Sequence, residues 1–136
     1  NIKLKIFGSK KKFTKNLQEL LKTSEYKTKN NKGLQINLAL NYGSKEEILE
    51  AIKILINQKI KITEKNLTNQ LYSKGVPDPD ILIRTGNTNR LSNFLLWQLA
   101  YTEIFFEKKL WPDFKSKDYI KIINKFKFLK RNFGNI

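Results

Sequence analysis

One stretch of the sequence decides how the rest is interpreted, and it reads Asp80-Ile81-Leu82-Ile83-Arg84-Thr85-Gly86-Asn87-Thr88-Asn89-Arg90-Leu91-Ser92-Asn93. The continuous apolar run 81–83 predicts a strand that is covered on both faces. The polar residues that follow predict a loop, and the apolar spacing over 91–101 predicts a helix with Ser92 as its N-cap. We therefore expect a strand, a polar loop and the start of a helix, in that order.

The segments on either side of this stretch alternate between strand and helix patterns. Further strands are predicted at 2–7, 34–40 and 104–106, and further helices at about 13–28, 44–56, 63–71 and 116–133. Thr63 and Ser116 are predicted helix caps, and Ser44-Lys45-Glu46-Glu47 has the spacing of a capping box. Strands that alternate with helices predict an α/β fold with a parallel β-sheet flanked by helices. We expect residues 1–136 to form a single domain.

The composition excludes several kinds of enzyme. The 136 residues contain no Cys and no His, which excludes thiol catalysis, a serine triad and a zinc site within this chain. A metal ion could be held here only by carboxylates, hydroxyls or a bound diphosphate. The net charge is +15, but the Lys residues are scattered through every segment. A nucleic-acid-binding module would more often combine Arg with exposed aromatic residues, so we disfavour that function.

Arg is rare in this chain, and two of the three Arg residues, Arg84 and Arg90, lie within the stretch quoted above. A planar guanidinium can bind two phosphate oxygens at once, whereas the Lys ammonium acts as a point charge. Ligands of parallel sheets bind beyond the carboxyl ends of the strands, where Arg84 is predicted to lie. Together with Ser92 and a helix N-terminus, the two Arg residues suit a phosphate or diphosphate. The alternative is a structural loop with two neighbouring surface Arg residues, and we favour the phosphate site.

Several blocks of the sequence resemble the cis-prenyltransferases of the undecaprenyl diphosphate synthase type. The matching blocks are 41–43, 80–86, 90–98, 100–103, 110–114 and 131–134. The resemblance extends over nearly the whole chain and implies the same α/β fold. It also implies that an N-terminal part is missing, because these enzymes begin with an Asp-Gly-Asn-x-Arg-Trp loop for the allylic diphosphate, and this sequence does not contain that loop.

The resemblance implies a transferase that condenses isopentenyl diphosphate with an allylic diphosphate such as farnesyl diphosphate. The implied product is a long-chain cis-polyprenyl diphosphate, namely undecaprenyl diphosphate for the lipid carrier of peptidoglycan synthesis. Arg84, Arg90 and Ser92 would bind isopentenyl diphosphate, and Glu103 would hold the Mg²⁺ cofactor. Arg131 and Gly134 would be C-terminal substrate contacts. No catalytic residue is assigned within the chain, and residues 1–136 alone are expected to be inactive.

Two positions depart from the family pattern, since Thr88 and Asn89 stand where an acidic residue and a His are frequent. The resemblance further implies a homodimer, and the apolar segment around Phe105 and Phe106 suits the subunit contact. A cytoplasmic location is implied, with peripheral contact at the inner face of the membrane through the lipid product. The alternative is a non-catalytic partner subunit of a heteromeric cis-prenyltransferase. Retention of the matched substrate and metal residues favours the enzyme.

Overall fold

The structure, a computed structural model, describes residues 1–131. The chain divides into two compact units, Asn1–Val76 and the residues from Pro77 onward. Each unit contains a pair of parallel strands together with helices. The predicted α/β class with parallel strands is therefore confirmed, and the expectation of a single domain stays a prediction. No helix within residues 1–131 has the length and apolar character needed to span a bilayer.

The first unit contains two strands and three helices, all close to their predicted positions. In chain order these are β1 (Lys3–Phe7), α1 (Lys15–Thr28), β2 (Gln35–Ala39), α2 (Ser44–Asn57) and α3 (Glu64–Thr68). The two strands are parallel, with Lys3 opposite Gln35 and Phe7 opposite Ala39. The core of this unit consists of the buried apolar residues Ile6, Phe7, Leu21, Ala51, Leu55, Leu67 and Leu71.

Side chains of α1 close the free edge of β1. The backbone N–H of Leu4 donates to Thr28 Oγ1 at 3.1 Å, and that of Ile6 donates to Glu25 Oε1 at 2.8 Å. A free strand edge otherwise presents unpaired N–H groups that invite pairing with another chain. The helix therefore satisfies the edge of β1 that β2 does not cover.

The second unit contains β3 (Ile81–Arg84), β4 (Glu103–Phe106) and α4 (Ser116–Lys127), with a 3₁₀ turn at Trp111–Asp113. The two strands are parallel, with Ile81 opposite Glu103 and Arg84 opposite Phe106. Both strands lie where the sequence predicts them. The side chains of β3 are half-buried along its whole length rather than fully covered.

The helix predicted at 91–101 is absent. Ser92, Asn93 and Leu95 have φ values of 50°, 62° and 46°, which belong to the left-handed region and interrupt a right-handed helix. The segment instead forms a series of turns, in which Phe94 N donates to Leu91 O at 3.1 Å. Ser92 is therefore not the N-cap of a helix. Leu99 is 6% exposed whereas Tyr101 is 61% exposed, so the apolar spacing predicts burial for only part of this segment and does not determine the backbone path.

The predicted helix caps have mixed outcomes. Thr63 is confirmed as the N-cap of α3, since its Oγ1 accepts a hydrogen bond from Asn66 N at 3.2 Å. Gly43, rather than Ser44, occupies the N-cap position of α2. The N-cap of α4 is Lys115 instead of Ser116, and Asp118 reaches back to its backbone N–H. The errors amount to one residue, which is the usual uncertainty of a helix boundary.

Candidate functional site

Arg84 ends β3 and opens the polar loop 85–90, with its side chain held by that loop. Its Nε donates a hydrogen bond to Thr88 Oγ1 at 3.0 Å, and the residue is half-buried. The bond orients the guanidinium and leaves the donors on its two terminal nitrogens without a partner among residues 1–131. Those nitrogens provide the fork that binds two oxygens of an anion.

The loop backbone is fixed to the segment that follows β4. Gly86 N donates to Lys109 O at 2.8 Å, and Asn87 N donates to Glu107 O at 3.2 Å. Gly86 and Asn87 have φ values of 91° and 54°, a conformation that glycine and asparagine adopt more readily than other residues. The turn after Arg84 is therefore built from suitable residues and anchored at both of its central N–H groups.

A charged pair that the sequence analysis missed secures the same segment. Lys109 Nζ and Asp118 Oδ1 lie 2.6 Å apart, and Asp118 Oδ2 accepts a hydrogen bond from Lys115 N at 2.9 Å. The hydrogen bond from Lys109, followed by that from Lys115 N, lowers the pKa of the Asp118 carboxyl. The same contact with Asp118 raises the pKa of Lys109. No local pattern distinguished Lys109 from the other scattered lysines.

Arg90 lies on the same loop as Arg84, but no residue of that loop holds its side chain. Its side chain is exposed and has no hydrogen bond or ion pair with any residue in 1–131. Ser92 is also exposed, two residues further along. The structure thus places the three residues predicted to bind isopentenyl diphosphate on one continuous segment. In this segment Arg84 is already oriented and Arg90 is available for a ligand.

Glu103, the predicted metal ligand, lies at the opposite end of the strand pair. It starts β4 opposite Ile81, and its N–H donates to Asp80 O at 3.0 Å. Arg84 is three register positions away, about 10 Å along the strands. Because side chains alternate between the faces of a sheet, Glu103 and Arg84 also lie on opposite faces. The structure does not bring these two residues together.

The described residues do not by themselves complete a magnesium site. Within residues 1–131 there is no group of three or more acidic side chains that could hold a metal ion. Glu103 could contribute carboxylate oxygens, which Mg²⁺ accepts alongside water and phosphate oxygens. The register, however, separates it from the arginine loop. The role of Glu103 stays a prediction, and no chemical step is assigned to a metal ion.

Arg131, a predicted substrate contact, is engaged within the second unit. Its Nη1 lies 2.6 Å from Asp80 Oδ1, and its Nη2 donates to Tyr101 O at 3.2 Å. The guanidinium also lies 5.4 Å from the centre of the Phe126 ring. These contacts connect the start of β3 with α4. Gly134, the other predicted contact, lies outside the described residues.

The carboxyl ends of β1 and β2 form a second ordered loop pair, in the first unit. Ser9 N donates to Asn41 O at 3.3 Å, and Asn41 Nδ2 donates to Ser9 O at 3.0 Å. A Cβ on Gly8 would lie 2.2 Å from Leu40 O, so only glycine fits at that position. These contacts join the loops that follow β1 and β2 directly.

Glu47, which the sequence predicted only as the last residue of a capping box, is a buried carboxylate beside this loop pair. It is 3% exposed; Oε2 accepts from Tyr42 Oη and Oε1 accepts from Tyr72 N, both at 2.6 Å. Burial and a hydrogen bond to Glu50 raise the pKa of Tyr72 to about 12. Spacing could have identified Glu47, because it shares a helix face with the buried Ala51.

Comparison with known proteins gives sequence matches along nearly the whole chain. The family model described as "Putative undecaprenyl diphosphate synthase" matches residues 1–134. An isoprenyl transferase from Aquifex pyrophilus is 40% identical over 136 residues, covering 99% of this chain and 59% of that protein. An isoprenyl transferase from Wolinella succinogenes is 43% identical, covering 100% of this chain and 60% of that protein. The chain therefore spans about three fifths of the length of these relatives.

Solved structures show the same similarity in three dimensions. The crystal structure of a probable undecaprenyl diphosphate synthase from Campylobacter jejuni is 37% identical with a TM-score of 0.89, covering 98% of this chain and 64% of that one. Lavandulyl diphosphate synthase from Lavandula x intermedia, solved with dimethylallyl diphosphate, is 34% identical with a TM-score of 0.90, covering 98% of this chain and 61% of that one. The family model, the two transferases and the two structures agree, and this chain belongs to the undecaprenyl diphosphate synthase family of prenyltransferases.

Proposed function

We propose that residues 84–90 hold isopentenyl diphosphate in an enzyme that adds it to an allylic diphosphate such as farnesyl diphosphate. The product of that enzyme is a long-chain cis-polyprenyl diphosphate, namely undecaprenyl diphosphate for the cell-wall lipid carrier. The observation that carries the proposal is the arginine loop at the carboxyl end of β3, with Arg84 oriented by Thr88 and Arg90 exposed and without a partner within residues 1–131.

The loop suits a diphosphate for electrostatic and geometric reasons. Arg84 presents two terminal nitrogens of fixed orientation, and Arg90 can close on the ligand from the other end of the loop. Because Arg84 is already oriented by Thr88, less order has to be imposed on this side of the site when the anion binds. Catalysis of this kind depends on holding isopentenyl diphosphate so that the alkene of its isopentenyl group faces the reacting carbon of the allylic diphosphate. Mg²⁺, when bound, would neutralise charge on the departing diphosphate.

We also propose that the enzyme is a homodimer that works in the cytoplasm at the inner face of the membrane. The apolar side chains of β4 support a subunit contact, because Ile104 is 37% exposed and Phe106 is 48% exposed. Phe105 is half-buried between them. Large apolar side chains exposed together on one strand are typical of a surface that another chain covers. Light scattering on the intact enzyme should report a dimer.

The test of the diphosphate clamp is calorimetric titration of the 136-residue chain with isopentenyl diphosphate. Arg84→Lys and Arg90→Lys each keep the net charge but lose the planar fork, so we expect weaker binding. A lost hydrogen bond to a charged group is worth about 1.5–3 kcal/mol, or roughly ten- to more than a hundredfold in affinity. Inorganic pyrophosphate should compete, because the clamp binds the diphosphate rather than the alkene.

Stability measurements separate a ligand contact from a folding effect. Arg90→Lys should leave the melting temperature unchanged, because Arg90 has no partner within residues 1–131. Arg84→Lys also loses the bond to Thr88, which costs about 1 kcal/mol of stability. Lys59→Ala, an exposed lysine of the first unit, is the control and should change neither quantity. A folded wild-type chain that does not bind isopentenyl diphosphate would refute the clamp and favour the non-catalytic partner subunit.

A further inference from the structure

The outward face of α4 combines a row of lysines with exposed apolar side chains. Ile122 is 7% exposed and faces the interior. On the opposite side, six residues line a shallow depression of about 450 Å³, namely Lys117, Ile120, Lys121, Asn124, Lys125 and Phe128. All six are exposed. We call these six residues the α4 outer face.

The charge of this face has one sign. Lys117, Lys121 and Lys125 recur every four residues, so they form one row along the helix. Asp118 is the one acidic residue of α4, and its carboxylate is bound by Lys109 and by Lys115 N. The lysine row is therefore not neutralised by its own helix. It presents a cationic strip about 12 Å long, from the helix rise of 1.5 Å per residue.

Two large apolar side chains lie beside the lysine row. Ile120 is 55% exposed, and Phe128 at the end of the helix is 89% exposed. Such side chains gain free energy when they leave water, whereas lysine can keep its ammonium in water while its methylene stem lies on an apolar surface. A row of lysines with an aliphatic and an aromatic anchor is the pattern of helices that lie in the interface of a bilayer.

Charge and apolar content together select one occupant. A second copy of this chain would bring one lysine row against another, and that repulsion opposes self-association through this face. A nucleic acid would satisfy the lysines but would leave Ile120 and Phe128 against a charged backbone. A bilayer with anionic headgroups satisfies both, because phosphates meet the ammonium groups and the acyl boundary accepts the two apolar side chains.

We propose that the α4 outer face docks on the surface of an anionic lipid bilayer. This contact uses the protein's own helix rather than a bound lipid product, and it is independent of the proposed reaction. Docking would orient the second unit with α4 parallel to the bilayer plane. Neither substrate nor metal ion is required.

The experiment is co-sedimentation of the 136-residue chain with vesicles of phosphatidylcholine, with or without phosphatidylglycerol. The wild type should bind the anionic vesicles and bind the neutral ones far more weakly. Lys117→Gln, Lys121→Gln and Lys125→Gln together should weaken anionic binding roughly a hundredfold, at about fivefold for each lysine near the surface. The control is Lys11→Gln with Lys59→Gln and Lys65→Gln, three exposed lysines elsewhere, which lower the net charge equally. The control should lose no more than a few-fold.

A second pair of variants tests the apolar anchors. Ile120→Ser with Phe128→Ser should weaken binding about tenfold or more, because the lost apolar burial no longer favours insertion. Leu20→Ser with Leu49→Ser, two residues exposed by 61% and 57% on α1 and α2, should have little effect. Circular dichroism checks that each variant is folded. Equal losses in the two lysine variants, or full binding by the Ile120 and Phe128 variant, would overturn the proposal and indicate a general polyanion attraction such as that of a nucleic acid.

Discussion

Replacement of Glu47 tests the structure most directly, because this carboxylate is buried and accepts hydrogen bonds from two separate segments. It is 3% exposed, and its carboxylate accepts hydrogen bonds of 2.6 Å from Tyr42 Oη and from Tyr72 N. The two donors lie on different segments, one before α2 and one after α3. Glu47 therefore holds both segments against the helix that carries it.

The expected loss of stability follows from these contacts. A hydrogen bond to a charged group contributes about 1.5–3 kcal/mol, so Glu47→Ala should lower the free energy of unfolding by about 3–6 kcal/mol. The upper end applies because the Tyr72 N–H would lose its acceptor inside the protein. Glu47→Gln keeps the shape and one acceptor oxygen, and it should lose about half as much. A typical domain has about 5–15 kcal/mol in total, so Glu47→Ala approaches the limit of folding.

Urea unfolding followed by circular dichroism measures these differences. Glu19→Ala is the matched control, since Glu19 is an exposed carboxylate of α1, and it should stay within about 0.5 kcal/mol of the wild type. If Glu47→Ala does not fold, the Glu47→Gln variant still gives a measurable midpoint. The reasoning is refuted if Glu47→Gln is as stable as the wild type, or if Glu19→Ala loses as much.

Four further substitutions have defined outcomes. Gly75→Ala should lower the free energy of unfolding by about 1–2 kcal/mol, because φ is 75° there although a Cβ would meet no other atom. Gly8→Ala should lower it further in urea unfolding, because its Cβ would lie 2.2 Å from Leu40 O. The pKa of Tyr72 is raised to about 12, so its contribution to stability is present below pH 10 and lost as the pH rises from about 10 to about 12; Tyr72→Phe should remove that loss in melting curves. The pKa of Asp118 is lowered by Lys109 and then by Lys115 N, so its contribution is present above its ordinary pKa and lost as the pH falls through the lowered value. Lys109→Gln should reduce this acid dependence of the melting temperature, and the part due to Lys115 N should remain.

The strands could be predicted from the sequence because their signal is local. Alternating residues at 2–7 and 34–40 and continuous apolar residues at 81–83 correspond to β1, β2 and β3. Thr63 was predicted as a cap for the same reason, since a cap is recognised by its immediate neighbours. The parallel direction of the paired strands also followed, because strands that alternate with helices are parallel. The structure confirms each of these predictions.

The segment 91–101 could not be predicted in the same way. Its apolar spacing is compatible with any backbone that buries Gln98 and Leu99, and the structure buries them through turns. Periodicity reports which side chains leave water, and left-handed residues such as Ser92 are not apparent from it. The hydrogen bonds of Glu47 and Lys109 could not be predicted either, because both depend on contacts between separate segments of the chain. Their partners Tyr72 and Asp118 are brought to them only by the fold.

The three Arg residues, which are rare in this lysine-rich chain, differ in how the structure uses their side chains. The rarity of Arg and its planar fork predicted a phosphate site at Arg84 and Arg90, and the family resemblance implied a substrate contact at Arg131. Arg131 uses its fork within the protein, on Asp80 and on Tyr101 O. Arg84 uses one nitrogen on Thr88 and retains its terminal pair. The rarity of Arg therefore pointed to residues whose planar guanidinium matters, but it did not predict which groups these residues contact.

The distribution of those partners decides where a ligand can bind with least cost. An anion at Arg131 would have to displace a carboxylate that is already 2.6 Å from the guanidinium, so the exchange gains little. An anion at Arg90 would displace only water, and the terminal nitrogens of Arg84, on the same loop, likewise have no partner within residues 1–131. We therefore expect a diphosphate to bind most tightly where one arginine is oriented by the protein and the other has no protein partner within residues 1–131. That condition is met on the loop after β3, which places Arg84→Lys and Arg90→Lys ahead of any change at Arg131 as tests of diphosphate binding.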